Sequence, residues 1–337
     1  QYLFGNTFIN TLRPNGYDAN IQWEETETFN FGLDVSIIRD HFSANIDYYR
    51  RNTSNLLNRI PVPAGTNLTN FVTTNVGNMK NQGIELNLDF TALDTESISW
   101  SFNVNFARNV NEITRLTATE DPTYQGIQVG GIAGGVGSNI QIHTVGYAPY
   151  TFYVYEQMYD DDGKIIEGEF ADRNGDGEFN ANDFYRYKNR APDYTIGFSS
   201  YLKIGNLDFS FAGRRVSGNY VYNNVQTDMG YLARLYGTNG YLANINRSAI
   251  TNNIQDQASV TFSDHFVEDA SFLRIDYLSL GYSLENIHKN PIRLSFTVQN
   301  PVVISSYSGI DPEISSGIDN NIYPRATTYV FGISTDF

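Results

Sequence analysis

The stretch IRLSFTVQ (residues 292–299) decides the fold of this chain. The apolar residues Ile292, Leu294, Phe296 and Val298 alternate there with Arg293, Ser295, Thr297 and Gln299. Because successive side chains of a β-strand point to opposite faces, this period of two predicts a strand with one apolar and one hydrated face. The same pattern recurs in IELNLDF (84–90), ISWSFNVNF (98–106) and TYVFGISTDF (328–337). We therefore predict an all-β, antiparallel protein.

About twelve strands follow from this pattern. Besides the stretches quoted above, strands are predicted near 1–9, 25–38, 41–51, 139–146, 150–159, 193–204, 207–217 and 269–284. The sequence contains no convincing amphipathic helix and no internal repeat of fixed period. The chain begins within a strand pattern, without a methionine or a signal peptide, so we expect it to be the C-terminal part of a longer protein.

The connections between these strands alternate in length. Short connections are predicted at 39–41, 93–97, 204–206 and 285–290, and long polar ones near 52–79, 110–138, 160–191, 218–266 and 301–325. A transmembrane β-barrel has this arrangement, with tight periplasmic turns and long extracellular loops. If residues 139–159 form two strands, all five long connections lie at the extracellular end. Tyrosines near strand ends are then expected to form interfacial girdles, namely Tyr48, Tyr194, Tyr277, Tyr282 and Tyr329.

The composition narrows the possible functions. A formal net charge of −15 argues against nucleic acid as a partner, because phosphate binding requires a basic surface. The chain has no cysteine, which excludes a disulfide framework and a thiolate metal site. No stretch has the length and apolarity of a membrane helix, whereas a transmembrane strand requires only about 9–11 residues. A secreted β-sandwich or β-rich binding module remains the alternative, since its strands alternate as well.

Several segments resemble one known family, in the same order along the chain. They are IQWEETETFNFGLDVSII (21–38), FSANIDYYRRNTSNLL (42–57), NVGNMKNQGIELNLDF (75–90), DRNGDGEFNANDF (172–184), VEDASFLRIDYLSLGY (267–282) and YPRATTYVFGISTDF (323–337). The chain is thus similar to the SusC/RagA-type TonB-dependent outer-membrane transporters. The segment 267–282 is the most specific of the six.

The resemblance implies a plugged barrel of 22 strands in the outer membrane of a Gram-negative bacterium. Residues 1–337 would form the C-terminal portion of that barrel, and the plug domain and the TonB-contacting segment would lie outside this chain. The implied function is nutrient import, of an oligosaccharide or a peptide, powered by TonB and assisted by a SusD-like surface lipoprotein as a lid. The alternation places Glu85, Asp89, Arg293 and Asp336 on the inner face, where they are expected to contact plug or substrate.

The segment DRNGDGEFNAND (172–183) has the spacing of a calcium-binding loop. The candidate ligands are Asp172, Asn174, Asp176, Glu178 through its backbone carbonyl, Asn180 and Asp183, with Gly177 at the sharp bend. Asp183 replaces the usual bidentate glutamate and no flanking helices are predicted, so we expect a structural Ca²⁺ that orders an extracellular loop. An Asx-rich turn without an ion is the alternative. The corresponding alternative function is a calcium-stabilised, surface-exposed β-rich binding or structural protein without a channel.

No catalytic constellation is present in the sequence. His41, His143, His265 and His288 lack metal-binding spacing, and no nucleophile elbow, phosphate-binding loop or zinc-protease motif occurs. We therefore predict that the chain is not an enzyme. Five tyrosines of the 218–266 segment are expected to pack or to dock a lid protein, with stacking on sugars as the alternative: Tyr220, Tyr222, Tyr231, Tyr236 and Tyr241.

Overall fold

The computed structural model describes residues 2–9, 15–37, 41–62, 65–117, 121, 123–132, 138–237, 240–284 and 292–335. The strands in these ranges are β1 (Tyr2–Phe4), β2 (Thr7–Ile9), β3 (Glu25–Ile37), β4 (Phe42–Pro61), β5 (Phe71–Asp94), β6 (Ile98–Arg115), β7 (Ile127–Gly131), β8 (Asn139–His143), β9 (Thr151–Val154), β10 (Gln157–Tyr159), β11 (Ile165–Phe170), β12 (Tyr185–Asn189), β13 (Tyr194–Ile204), β14 (Leu207–Ser217), β15 (Tyr220–Tyr222), β16 (Val267–Asp269), β17 (Phe272–Leu284), β18 (Ile292–Ser305) and β19 (Thr328–Thr335). The helices are α1 (Asn224–Met229) and α2 (Ser248–Asn252), with 3-10 turns at Ala181–Asp183, Leu232–Tyr236 and Asp264–Phe266.

Nine of these strands form one antiparallel sheet, which we call the wall. Its spatial order is β3, β4, β5, β6, β13, β14, β17, β18 and β19, so every strand after β3 pairs with the wall strand that precedes it in the chain. This is the up-and-down arrangement of a barrel wall, and it confirms the predicted antiparallel β fold. No helix in the described parts of the chain is both long enough and apolar enough to span a membrane.

The register of the wall separates two faces. Val35, Ala44, Leu88, Val104 and Phe198 lie opposite one another on five neighbouring strands and form one apolar row. The row beside it, on the other face, is polar: Asp34, Asn45, Asn87 and Asn105. Many apolar side chains of the first face are exposed, such as Phe331 and Ile333, each 80% accessible. The alternation of the sequence therefore sorts the wall into an exposed apolar face and a polar face.

The connections of the wall differ at its two ends. At the turn end, few residues separate consecutive strands, namely 38–41, 95–97, 205–206 and 285–291, of which 38–40 and 285–291 lie outside the described residues. At the connection end, they are joined by 62–70, 116–193, 218–271 and 306–327. Short connections therefore lie at one end and long ones at the other, as predicted, although the bounds of the long connections differ from the predicted bounds.

Two sequence predictions about these connections were wrong. The stretch 52–79 is mostly strand, because β4 and β5 continue far past the apolar region and leave only 62–70 between them. Apolar residues of these outer parts fall side by side, at Leu56 and Leu57 and at Phe71 and Val72, and not at every second position, so a period of two gives no signal there. Residues 139–146 and 150–159 do contain strands, but these belong to a separate sheet of order β12, β9, β8, β7 and not to the wall. The wall accordingly has nine described strands and not about twelve.

The three longest connections pack together into what we call the connection domain, the described parts of 116–193, 218–271 and 306–327. Its core contains Ile132, Ile140, Phe152, Val154, Ile165, Tyr222, Ile254, Val260, Phe266, Val267 and Ile318. Ile140, Phe152 and Tyr222 are completely inaccessible to solvent. The segments are joined by hydrogen bonds as well, since the Tyr185 hydroxyl in 116–193 donates to the Asp264 carboxylate in 218–271 at 2.6 Å. The long connections thus form a folded unit with a dry core.

Smaller corrections concern single elements. The strand predicted near 1–9 is a hairpin of β1 and β2 that pairs only with itself. Tyr48 and Tyr329 lie on the apolar face as predicted, but Tyr277 lies on the polar face, because an irregularity in β17 between Ile275 and Tyr277 shifts the alternation. Asp336, Phe337, His288 and the predicted 285–290 turn lie outside the described residues.

Candidate functional site: the acidic loop and the polar face of the wall

The acidic loop, residues 172–183, lies in the connection domain between β11 and β12. Gly175 and Gly177 have φ values of 73° and 83°, in the left-handed region that favours glycine. The Asp172 carboxylate accepts hydrogen bonds from both of their N–H groups, at 2.7 and 2.8 Å. The sharp bend predicted at Gly177 is therefore present, and Asp172 closes it.

The second half of the acidic loop closes on Asp183, whose side chain is completely buried. Its oxygens accept from the backbone N–H groups of Asn180, Arg173 and Asn174, at 2.8, 2.9 and 3.4 Å. These hydrogen bonds, that of Asn180 above all, hold the pKa of Asp183 below its usual value against the opposing effect of burial. Asn180 in turn caps the 3-10 turn at Ala181–Asp183, so both residues organise the loop backbone.

The other candidate ligands are engaged with one another. The Asn174 side-chain amide donates to the Asp176 carboxylate at 2.8 Å, and the Glu178 N–H donates to the other oxygen of Asp176 at 2.9 Å. The Asn180 amide donates to the backbone carbonyl of Glu178 at 3.2 Å. In the described parts of the chain, no group of three or more acidic, histidine or cysteine side chains has a metal-binding arrangement. Internal hydrogen bonds therefore account for the loop conformation, and the calcium site stays a prediction.

Aromatic residues anchor the acidic loop to the domain. Phe170 precedes the loop, Phe179 lies within it and Phe184 follows it, and all three pack on the Tyr155 ring with centroid distances of 5.2, 4.6 and 3.7 Å. Burial raises the pKa of Tyr155 to about 12, so its hydroxyl stays neutral at physiological pH. Because these rings fix both ends and the middle of the loop, its surface is presented in one shape.

A charge cluster joins the connection domain to the polar face of the wall. Its members are Arg214 on β14, Arg274 and Asp276 on β17, and Asp311, Glu313 and Arg325 in the 306–327 connection. The Arg274–Asp311 pair, at 2.7 Å, is nearly inaccessible, with 3% and 5% of the two side chains exposed. Arg214 bridges Asp276 at 2.6 Å and Glu313 at 2.8 Å. Three cations and three anions thus fix the connection to the wall.

The polar face below this cluster carries a ladder of hydrogen bonds. The Asn103 amide donates to Asn87 at 2.9 Å and to Asp89 at 2.8 Å, which places Asp89 where the alternation predicted it. Arg293 lies on the same face and pairs with Asp208 at 2.6 Å. Glu85 lies there as well, opposite Asp47 and Ala107. Glu85, Asp89 and Arg293 therefore share the polar face as predicted, but they do not form one compact site.

Sequence reasoning did not find the charge cluster. Its members come from positions up to 111 residues apart, Arg214 to Arg325, and each looks like an ordinary surface charge. Arg274 alone gave a signal, since it stands between Leu273 and Ile275 in an otherwise apolar strand start. The tyrosines of 218–266 divide as follows: Tyr222 is buried and Tyr220 and Tyr231 pack on the core, whereas Tyr236 and Tyr241 are 77% and 70% exposed.

Comparison with known proteins agrees with this architecture. The profile of the family described as TonB dependent receptor-like, beta-barrel matches residues 1–163. The TonB-dependent receptor SusC of Bacteroides thetaiotaomicron is 40% identical over the whole of this chain, which covers 34% of that receptor. The TonB-dependent receptor P3 of Formosa agariphila is 25% identical over 94% of this chain, again covering 34% of the receptor. This chain therefore spans about a third of the length of these relatives.

The solved structures show the same likeness. The RagAB peptide importer in its open-open state superposes with a TM-score of 0.74 at 25% identity, over 94% of this chain and 35% of the importer chain. The fold and the polar and apolar faces define a piece of an outer-membrane β-barrel. More specifically, the chain belongs to the TonB-dependent receptors and is of the SusC/RagA type, as its sequence motifs predicted. Because members of this family are transporters, the prediction that the chain is not an enzyme is confirmed, and the alternative of a binding module without a channel is not favoured.

Proposed function

We propose that the chain forms barrel wall and extracellular loops of a receptor that imports an oligomeric nutrient, oligosaccharide or peptide, across the outer membrane. The 40% identity to SusC over the whole chain carries this proposal. The two faces of the wall support it, because a channel needs an apolar surface toward lipid and a polar one toward its lumen. In this arrangement the connection end faces the outside, and the polar ladder of Asn87, Asp89 and Asn103 lines the lumen beside plug and substrate.

Deletion of the gene for the full-length receptor tests the proposal. Uptake of a panel of labelled oligosaccharides and oligopeptides is measured in the deletion strain and in the strain complemented with the intact gene. We expect uptake of one class to be lost on deletion and restored by complementation, and the class identifies the substrate. Uptake of every labelled compound at the parental rate would contradict an import function.

A SusD-like surface lipoprotein is the proposed partner, seated on the connection domain, and TonB is the proposed energy source. The exposed rings of Tyr236 and Tyr241 support a docking role, since aromatic residues are enriched in protein interfaces. A photo-crosslinking amino acid placed at Tyr236 of the full-length receptor is expected to capture a surface lipoprotein in cells. The matched control at Glu96, an exposed residue of a short turn at the other end of the wall, is expected to capture none. Equal capture from both positions would contradict the docking site.

We also propose that the acidic loop binds Ca²⁺ and that the ion holds the loop in one conformation. The oxygen-rich side chains and the left-handed glycines support this proposal, because Ca²⁺ prefers oxygen ligands on a sharply turning backbone. Calorimetric titration of the full-length receptor with Ca²⁺ is expected to show a site that the double variant Asp172→Asn, Asp176→Asn lacks. The variant Asp161→Asn, Asp162→Asn in the neighbouring hairpin is the control. Equal calcium binding by all three proteins would refute the assignment to this loop.

A further inference from the structure

Three arginines stand on the apolar face of the wall, where charge is unexpected. Arg50 on β4 lies opposite Phe29, Arg108 on β6 lies opposite Ile84, and Arg215 on β14 lies opposite Ile196. All three side chains are exposed. None of them forms an ion pair with another residue in the described ranges. The hydrogen bonds of two of them go to neutral groups: Arg50 donates to Asn52 at 3.4 Å, and Arg215 contacts the Tyr194 hydroxyl. Glu27 lines the same groove as Arg50 without forming an ion pair with it.

The three arginines lie on one slanted line. Through the register, Arg50 is level with Val110 of β6, and Arg215 is level with Phe106 of the same strand. Arg108 lies midway between these two levels of β6. From β4 to β14, the line therefore moves two residues toward the turn end for every two strands crossed. Two residues span about 6.7 Å along a strand and two strands about 9.6 Å across the sheet, which gives a slope of about 35°. Strands of membrane barrels are tilted by about 35–45°, so the line runs parallel to the membrane plane.

The turns at the other end of the wall descend in the same direction. The β3–β4 turn begins level with Phe102 of β6, whereas the β13–β14 turn begins level with Ile98. These turns are four strands apart in the sheet and four residues apart along β6, which is the slope of the arginine line. The arginines therefore keep a constant height above the turn end.

That height matches the border of the lipid. Arg50 and Arg215 are the ninth residues of their strands and Arg108 the eleventh. At a rise of about 3.4 Å per residue and a tilt of about 40°, they stand about 21–26 Å above the strand starts. The apolar band of an outer-membrane barrel is about 25 Å tall. The residues below the arginines on this face are apolar, for example Ile46 and Leu86.

We propose that Arg50, Arg108 and Arg215 bind the phosphate groups of lipid headgroups in the outer leaflet. A guanidinium binds phosphate through two parallel hydrogen bonds, and the apolar rows below it accommodate the acyl chains. Tyr48, one outward position below Arg50, adds an amphipathic ring at the same level. Lys80 is not part of this site, because it faces Glu112 across the β5–β6 pair. This inference rests on the proposed function, since it requires the wall to span the outer membrane.

The experiment uses the full-length receptor in detergent, titrated with phosphatidic acid, whose headgroup is a phosphate monoester. Native mass spectrometry counts the lipids retained by the wild type and by the double variant Arg50→Gln, Arg108→Gln. Each arginine near a lipid surface changes the affinity about fivefold, so we expect about 25-fold weaker binding in the double variant. The control is Arg51→Gln, which removes the same charge one residue away, on the polar face of β4. It is expected to bind phosphatidic acid like the wild type.

Phosphatidylcholine with the same acyl chains separates headgroup recognition from chain binding, and we expect all variants to retain it equally. Equal retention of phosphatidic acid by wild type and double variant, or an equal loss in Arg51→Gln, would overturn the arginine site. Insertion of each protein into phosphatidylcholine vesicles is measured in parallel. If the proteins insert but show no arginine-dependent binding, only the lipid site fails. If the wild type does not insert, the proposed barrel function fails with it.

Discussion

The wall and the connection domain place the same kinds of side chain in opposite surroundings. Phe331 on the wall is 80% exposed, whereas Phe152 in the connection domain is completely buried. In the wall, hydrogen bonds between neighbouring strands order the chain, and the apolar face is left for lipid. In the connection domain, a core that is inaccessible to solvent orders the chain instead, and a partly buried charge cluster fixes the 306–327 connection to the wall. The hydrophobicity of a residue alone therefore does not predict whether its side chain is exposed on the wall or buried in a core. That depends on which strands and connections pack around it.

The largest expected effect comes from breaking the charge cluster. Arg274→Ala removes the buried partner of Asp311 and leaves it only the more distant Arg325, at 3.7 Å. Loss of one partner of a buried ion pair costs about 3–5 kcal/mol. We expect the 306–327 connection to detach from the wall while the wall itself stays folded. Hydrogen exchange measured by mass spectrometry on the full-length receptor should show increased exchange in that connection.

Arg293→Ala provides the comparison within the same sheet. Its ion pair with Asp208 is similar in length, but 44% of the arginine side chain is exposed, against 3% for Arg274, so we expect a smaller loss of stability than for Arg274→Ala. If Arg274→Ala and Arg293→Ala changed exchange to the same extent, the proposed role of burial in fixing the connection would be wrong.

The next effect concerns the faces of the wall. Leu280 points to the apolar face and Ser279, its neighbour in β17, to the polar face. A charge in the lipid-facing band of a barrel costs about 2–4 kcal/mol near the midplane, so Leu280→Arg should reduce insertion into vesicles. Ser279→Arg adds the same side chain facing the lumen and should insert like the wild type. Equal insertion of both variants would contradict the assignment of the two faces.

The smallest expected effect is a dependence on pH that is confined to the connection domain. Burial lowers the pKa of His143 and of His265, although the carboxylates of Glu268 and Asp264 oppose the shift at His265. The folded state therefore favours the neutral rings. The stability they provide is complete above the unfolded pKa of about 6.5 and is lost as the pH falls below it. Unfolding of the connection domain, followed by hydrogen exchange at pH 7.5 and pH 5.5, should be easier at the lower pH.

The double variant His143→Gln, His265→Gln tests the origin of this pH effect. In the connection domain of this variant, hydrogen exchange should differ little between the two pH values. In the wall, exchange should not depend on pH in the wild type or in the variant. A difference that persists unchanged in the variant would assign the pH dependence to other groups.

The wall was predictable because its signal is local. The period of two in stretches such as 84–90 and 292–299 arises because one face of each strand is apolar and the other is polar. The short turns mark the strand ends. The signal failed where both faces meet the same surroundings. The strands β8 and β9 are buried almost throughout, so their sequences do not distinguish a wall strand from a strand of a packed domain.

The site was only partly predictable for the same reason. The bend at Gly177 is encoded within six residues and was predicted, whereas the hydrogen bonds of Asp172 to Gly175 and Gly177 were not, because the sequence pattern predicts that carboxylate as a calcium ligand. The loop is anchored by the contacts of Tyr155 with aromatic residues on either side of it, and the loop motif does not predict these contacts. The charge cluster depends on contacts between β14, β17 and the 306–327 connection, which no local pattern records.

The composition of the core of the connection domain has a consequence for the order of folding. Its members extend from Ile132 to Ile318, and the Gln141 amide donates to the Ser316 carbonyl across 175 residues of chain. Contacts between such distant segments form slowly, because closing the long intervening loops costs entropy before any stabilising contact has formed. We therefore expect the core to be completed only after β13, β14, β17 and β18 have been paired, so that a receptor with an intact connection domain has already assembled most of its wall.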